Sequence, residues 1–168
     1  VVTDPDTHIC EHPKFHDLKF DVTDHEAVRA AAASIPEPID ILINNAGIIG
    51  PERQSTLDMD FDGFAQTLAI NTLAPLAVSQ AFLPHLKRSS TPRILTVSSW
   101  MGSLSHAKSD RIAYRASKAA VNKVMQGLAT DLEPMGVAVA LVHPGWVRTD
   151  MGGAGADIDA SGSASGIL

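Results

Sequence analysis

Four short apolar runs recur along this chain, and each closes on small polar residues or glycine. Helix-patterned stretches separate them. The run at 16–22 (HDLKFDV) has the alternation of a short strand. The run at 39–43, inside EPIDILINNAG, is continuous and rich in β-branched residues and leucine, as in a strand buried on both faces. Gly47 and Gly50-Pro51 end it. PRILTVSS (92–99) and VAVALVHPG (137–145) supply the third and fourth strands.

Helical signals fill the gaps. Thr23 and Glu26 form a capping box ahead of AVRAAAA. Apolar residues at 57, 61, 64, 65 and 68 repeat with helical period, with Asp58 as their cap. That pattern breaks near Asn71. A further helix is predicted from about Pro75, a residue suited to a first turn, to Arg88, kinked at Pro84. The last helix, 111–133, aligns Val121, Val124, Leu128 and Leu132 on one stripe and stops at Pro134-Met135-Gly136. From Gly152 the chain is rich in Gly, Ala and Ser, so 152–168 is expected to be a mobile loop. Strands alternating with helices imply a parallel sheet flanked by helices, whose ligand binds at the carboxyl ends of the strands.

Bulk properties remove several functional classes. No apolar run is long enough to span a membrane, and no secretory signal is visible. The single cysteine, Cys10, excludes an internal disulfide framework and suits a cytoplasmic setting. A net charge of −6 without a Lys/Arg cluster argues against a nucleic-acid partner. His8, Cys10, His12 and His16 fit no closed zinc pattern, so no metal site is expected.

The strand ends carry the chemistry. Asp21-Val22, Asn44-Asn45-Ala46-Gly47, Ser98-Ser99 and His143-Pro144-Gly145 would meet on one edge of the sheet. There they leave room for a ligand and offer backbone N–H groups to it. YRASK (114–118) sets Tyr114 and Lys118 one helical turn apart on a shared face. Alone, that pair is equally an aromatic and a cation on an amphipathic helix.

The ordered string DVTD, ILINNAGI, FAQTLAINTLAPL, RILTVSSWMGS, YRASKAAVN and VALVHPGWVRTDMGG resembles the short-chain dehydrogenase/reductase family from about residue 18 to residue 153. HPGWVRTDMGG and YRASK are most similar to its C-factor and sniffer-like carbonyl reductases. The resemblance implies a Rossmann-like, doubly wound, three-layer α/β/α domain occupying 1–168. It also implies NAD(P)-dependent carbonyl reduction, with NADP favoured and NAD possible, on a small-molecule substrate. Tyr114 would be general acid or base, its phenol activated by the neighbouring Lys118 ammonium. Lys118 would also bind the nicotinamide ribose. Ser99 would hydrogen-bond the carbonyl oxygen, with Ser98, Ser103 and Ser105 as rivals, and Asn71 would hold a water of a proton relay.

Cofactor contacts implied are Asp21 and Val22 near the adenine and Asn45, Ala46 and Gly47 along the adenosine ribose. Pro144, Gly145, Val147 and Thr149 would lie near the nicotinamide. The family's glycine-rich turn, TGxxxGxG, does not occur in the sequence, which therefore reads as an excerpt lacking its first strand–helix unit. A homodimer through helices 75–88 and 111–133 is a further expectation. The rival reading is a non-catalytic binding or signalling module. Trp100 and Trp146 flank the site as candidate pocket walls, and Asp60 and Asp62 read as solvated, dipole-favoured carboxylates on a first helical turn.

Overall fold

The computed structural model describes Phe15 and residues 17–167. Helix α1 spans His25–Ala33, and strand β1 spans Ile41–Asn44. A two-residue hairpin follows, β2 (Gln54–Ser55) against β3 (Asp58–Met59). Helix α2 (Phe61–Leu68) runs through a π-helical turn, Ala69–Leu73, into α3 (Ala74–Leu86). Strand β4 (Arg93–Val97), helix α4 (Ile112–Leu132), strand β5 (Ala138–Val142) and helix α5 (Ala160–Ile167) complete the order. Strands β1, β4 and β5 form one parallel sheet in the order β1-β4-β5.

Several local expectations change. Residues 17–22 form no strand, so the first run contributes no ladder among the described residues. The cap of α1 is Asp24, which accepts from the amides of Glu26 and Ala27, both at 3.0 Å. Thr23 instead donates to Asp21 through its amide and its hydroxyl. Asp58 is not a helix cap but lies in β3, paired with Arg53 at 3.0 Å; Asp60 caps α2 through the Gly63 amide. The tail is not all loop. Val147 bridges Ile158 in parallel fashion, and α5 follows.

The break at Asn71 is real but does not interrupt the helical path. An α-helical carbonyl at Asn71 would need the amide of Pro75, which has none, and the backbone widens there into the π turn. Pro84 sits in the last turn of α3 and leaves the helix continuous to Leu86.

Helices α1, α3 and α4 cover one face of the sheet. Leu42 packs with both apolar clusters: Val28, Ala32, Val78 and Phe82 on one side, Leu86, Ile94, Val121 and Met125 on the other. Alternation along β1 then turns Ile41 and Ile43 to the opposite face, where they are 40% and 44% exposed. The expectation that this run is buried on both faces fails within the described residues. Asn44 ties sheet to helix, donating to Ser79 on α3 and to Thr96, its cross-strand partner on β4, both at 3.1 Å. His8, Cys10, His12 and His16 lie outside the described residues.

Candidate active site

Helix α4 places Tyr114 and Lys118 on one face at its first turns, and both are buried, at 8% and 5% exposure. The Lys118 ammonium lies 5.7 Å from the Tyr114 ring centroid and donates to the Val97 carbonyl at 2.8 Å. Val97 closes β4, so the lysine is anchored to the strand end that also delivers Ser99. An ammonium has three N–H groups, and this bond engages one of them.

The local electrostatics differ from the expected activation by an ammonium. Burial raises the Tyr114 pKa above its ordinary value, with the Ser99 hydroxyl and the Arg111 cation opposing that rise. Burial also lowers Lys118 to about 8. At neutral pH the pair is therefore a protonated phenol beside an ammonium, and the phenol holds its proton more firmly than a free tyrosine does.

The four candidate serines differ in their surroundings. Ser98 is buried, and its hydroxyl donates to Asn122 Oδ1 at 2.5 Å. Ser103 and Ser105 bond one another in an exposed loop, 2.8 Å apart. Ser99 is the one beside the phenol, and its hydroxyl accepts the Met101 amide, at 3.1 Å, at the start of a short 3₁₀ turn.

Asn71 forms the floor. Its Oδ1 accepts the Ile48 amide at 2.8 Å, and its Nδ2 donates to the Ile48 carbonyl at 2.8 Å and to Ser117 Oγ at 2.9 Å. Both side-chain N–H groups are thus committed, and the residue clasps the segment after β1 onto α4. A Cβ added at Gly47 would lie 3.3 Å from Asn71 Oδ1 and 3.7 Å from Lys118 Nζ. The missing side chain leaves a shallow cradle beside the lysine, with Ala46 next to it.

The other expected cofactor residues lie in the connections before α1, after β1 and after β5. Asn45 is exposed at the end of β1, while Val22, Asn45, Ala46 and Pro75 line a cavity of about 60 Å³. Asp21 is exposed, and its carboxylate is held below the usual range chiefly by the Thr23 amide and hydroxyl. Beyond β5, Gly145 has φ +85°, and a Cβ there would lie 2.6 Å from Ile158. Ile158 bonds the carbonyl of Trp146 and the amide of Arg148. In an extended strand this turns the intervening Val147 amide away from Ile158, toward the other side of the chain. The Pro144 carbonyl accepts from Ser163, and Thr149 is exposed, its hydroxyl engaged by the Gly152 amide. Trp146 and Trp100 are half-exposed; the first donates to the Gly152 carbonyl and the second stacks edge-on against His106.

Three contributors carry no local sequence signal of their role: Ser117, Gln54 and Arg111. Ser117 joins Asn71 to the Tyr114 carbonyl, and Gln54 reaches the Tyr114 amide. Arg111 precedes α4 in the left-handed region, φ 52°.

A nicotinamide cofactor fits these residues. The cradle at Gly47, the remaining Lys118 donors and the Val147 amide offer space and N–H groups of the kind that ribose hydroxyls and a carboxamide require.

The comparisons with known proteins agree. The family model for short chain dehydrogenases matches residues 6–157. The chain is similar to the C-signal of Myxococcus xanthus, 43% identical over 143 residues that cover 84% of this chain and 86% of that protein. It is also similar to the 1-hydroxy-2-glutathionyl-2-methyl-3-butene dehydrogenase of Rhodococcus sp. (strain AD45), 38% identical over 78% of this chain and 58% of that protein. Among solved structures, an NADPH-bound carbonyl reductase from chicken fatty liver superposes with a TM-score of 0.82 at 33% identity, covering 89% of this chain and 66% of that one. The carbonyl reductase Sniffer of D. melanogaster gives 0.80 at 32%, covering 87% and 65%. The chain thus spans somewhat less than two thirds of these reductases. With the matched model, the parallel sheet and the buried Tyr114–Lys118 pair together, this chain belongs to the short-chain dehydrogenase family.

Proposed function

We propose that this domain serves an NAD(P)-dependent oxidoreductase that reduces a carbonyl group of a small molecule, or oxidises the corresponding alcohol. The observation that carries this reading is the burial of Tyr114 and Lys118 on one face of α4 beside the otherwise lightly engaged Ser99. Asp21 and Val22 would hold the adenine side of the cofactor and Asn45, Ala46 and Gly47 the ribose. Lys118 would take the nicotinamide ribose, and Pro144, Gly145, Val147 and Thr149 its carboxamide side. The cofactor, when bound, supplies or accepts the hydride. NADPH is favoured because the similar solved structures include an NADPH-bound carbonyl reductase and an NADP-bound short-chain dehydrogenase/reductase.

The chain's own groups handle the proton. The Ser99 hydroxyl donates to the substrate oxygen and polarises the carbonyl. Tyr114 then gives its phenolic proton to that oxygen as negative charge develops on it. The raised pKa keeps the phenol protonated but makes it a weaker acid, a cost the Lys118 ammonium offsets as the phenolate forms. The phenolate formed is stabilised by the Lys118 ammonium, so reduction should weaken as pH rises through about 8 and that ammonium is lost. Asn71 keeps the floor rigid through Ile48 and Ser117. Because its amide N–H groups are already used, a relay water at this residue would be held by main-chain atoms.

The test is turnover of an aldehyde and ketone panel with NADPH by the full-length protein, beside Tyr114→Phe. Absence of turnover in the wild type, or equal turnover in the variant, would overturn the reading. The likeness to a protein named C-signal favours a second reading, a binding or signalling module, and the same inactive wild type would support it. The domain reading extends to residues 152–168 as part of the substrate region. We also place the protein in the cytoplasm and in a homodimer through helices 75–88 and 111–133; among the described residues no helix is long and apolar enough to cross a membrane.

A further inference from the structure

Helix α4 begins without a local cap. Its N-cap residue is Arg111, whose side chain has no acceptor, and the residue sits in the left-handed region, φ 52°. The Arg111 carbonyl does receive the Arg115 amide, so the helix starts normally there. The amide of Tyr114 lies within the first turn and has no intrahelical acceptor. It donates instead to Gln54 Oε1, at 3.2 Å, a residue sixty positions earlier in the chain.

Gln54 is buried and fully used. Its Nε2 donates to the Ile49 carbonyl at 3.1 Å and to the Pro51 carbonyl at 2.6 Å. The reverse amide orientation would set an oxygen against two carbonyls and an NH₂ against an N–H, so the network admits one orientation. Gly50 seals the arrangement. It holds φ +89°, and a Cβ there would stand 3.4 Å from both ends of the Gln54 amide and 3.0 Å from Thr67 Oγ1. One side chain therefore joins the loop after β1 to the residue that carries the phenol. Gln54 also borders a cleft of about 410 Å³ with Ile49, Asp110 and Arg111.

We propose that Gln54 is a positioning residue for Tyr114: a helix cap supplied from across the fold, which sets where the phenol stands relative to Ser99 and Lys118. Its role in turnover rests on the reductase reading above; the cap itself does not. Three backbone groups from two segments depend on it, and no other side chain among the described residues bonds the Tyr114 amide.

Amide hydrogen exchange on the full chain tests this without any activity. In the wild type, the Tyr114 amide should exchange at least about tenfold more slowly than the Ile112 and Ala113 amides that open the same helix. Equal exchange at the three positions overturns the proposal, whatever any variant does. Gln54→Met keeps length and apolar volume but removes the bonds. It should speed Tyr114 exchange about tenfold while amides near Leu132 stay unchanged. Asp24→Ala, which uncaps α1 instead, should leave Tyr114 exchange as it was. In turnover, Gln54→Met should lower kcat about tenfold or more with the KM for NADPH held within about twofold. A folded Gln54→Met protein with unaltered Tyr114 exchange refutes the cap. Normal kcat despite faster exchange refutes the positioning role. An inactive wild type would remove the reductase reading and leave the exchange result to decide the cap.

Discussion

Tyr114, Lys118 and Asn71 are buried and held by bonds to Gln54, Val97, Ile48 and Ser117, whereas Asp21, Asn45 and Thr149 sit in exposed connections. The two halves face the same strand ends but are built differently. The half proposed to handle the proton draws on α4, the π turn and β4, and burial alters the acidity of Tyr114 and Lys118 there. The half proposed to face the cofactor consists of small and polar residues in surface connections. The difference teaches that the first half stores free energy in desolvated charge and the second does not.

The largest effect should come from Tyr114→Phe. Removing the proton donor should lower turnover about a thousandfold with cofactor affinity changed only a few-fold, read by steady-state kinetics beside cofactor titration. A loss of cofactor binding equal to the loss of turnover would merge the two halves.

Lys118→Met separates function from stability. Turnover should fall about a hundredfold, yet at pH 7 the folded state is relieved of an ammonium that burial disfavours, an advantage of up to about 3 kcal/mol before the loss of the bond to the Val97 carbonyl is subtracted. The sign follows from linkage. The folded pKa, about 8, lies below the ordinary lysine value of 10.5, so between those values the unfolded chain binds more protons and wild-type stability rises with pH. Urea unfolding should therefore show the advantage of Lys118→Met at pH 7 and little of it near pH 10.5. An advantage independent of pH would refute the desolvated ammonium.

Asn71→Ala should cost about 2–3 kcal/mol in the same assay, since it strips partners from a backbone amide and carbonyl of Ile48. A smaller loss would mean that the floor is less rigid than the hydrogen bonds imply.

The adjacent serines offer a sharper contrast. Ser99→Ala should lower turnover about tenfold with stability unchanged, while Ser98→Ala should cost about 1 kcal/mol and leave turnover intact. The reverse pattern would exchange their roles.

Asp21→Asn should have the smallest effect, a few-fold change in cofactor KM, since the carboxylate is exposed and among the described residues bonds only Thr23. Altered unfolding would show that this edge is more structural than its exposure suggests.

The parts of the site legible in the sequence are those whose geometry is local. Tyr114 and Lys118 share a face because four residues make one turn, and Pro75 explains why the helix widens at Asn71. The serines show where this stops. Neighbouring residues of an extended chain point to opposite sides, so Ser98 and Ser99 are equivalent in a string and distinct in space, where Asn122 of α4 claims the first. The run at 16–22 shows the converse error. Alternation records a pattern of exposure, but a strand also needs a ladder partner, and none pairs with its described residues. Thr23 and Asp58 stand one and two residues before a better-placed aspartate, and only the backbone dihedrals decide which of the two caps.

By itself the amino-acid sequence determined the alternation of strands and helices, the parallel sheet and the pairing of phenol with ammonium, because each depends on periodicities of two or 3.6 residues. Tertiary structure alone decided which serine is available, why Tyr114 is harder rather than easier to ionise, and that Gln54 caps the helix that bears it. Those outcomes depend on desolvation and on hydrogen bonds between residues 24 to 60 positions apart, distances over which sequence spacing carries no directional information.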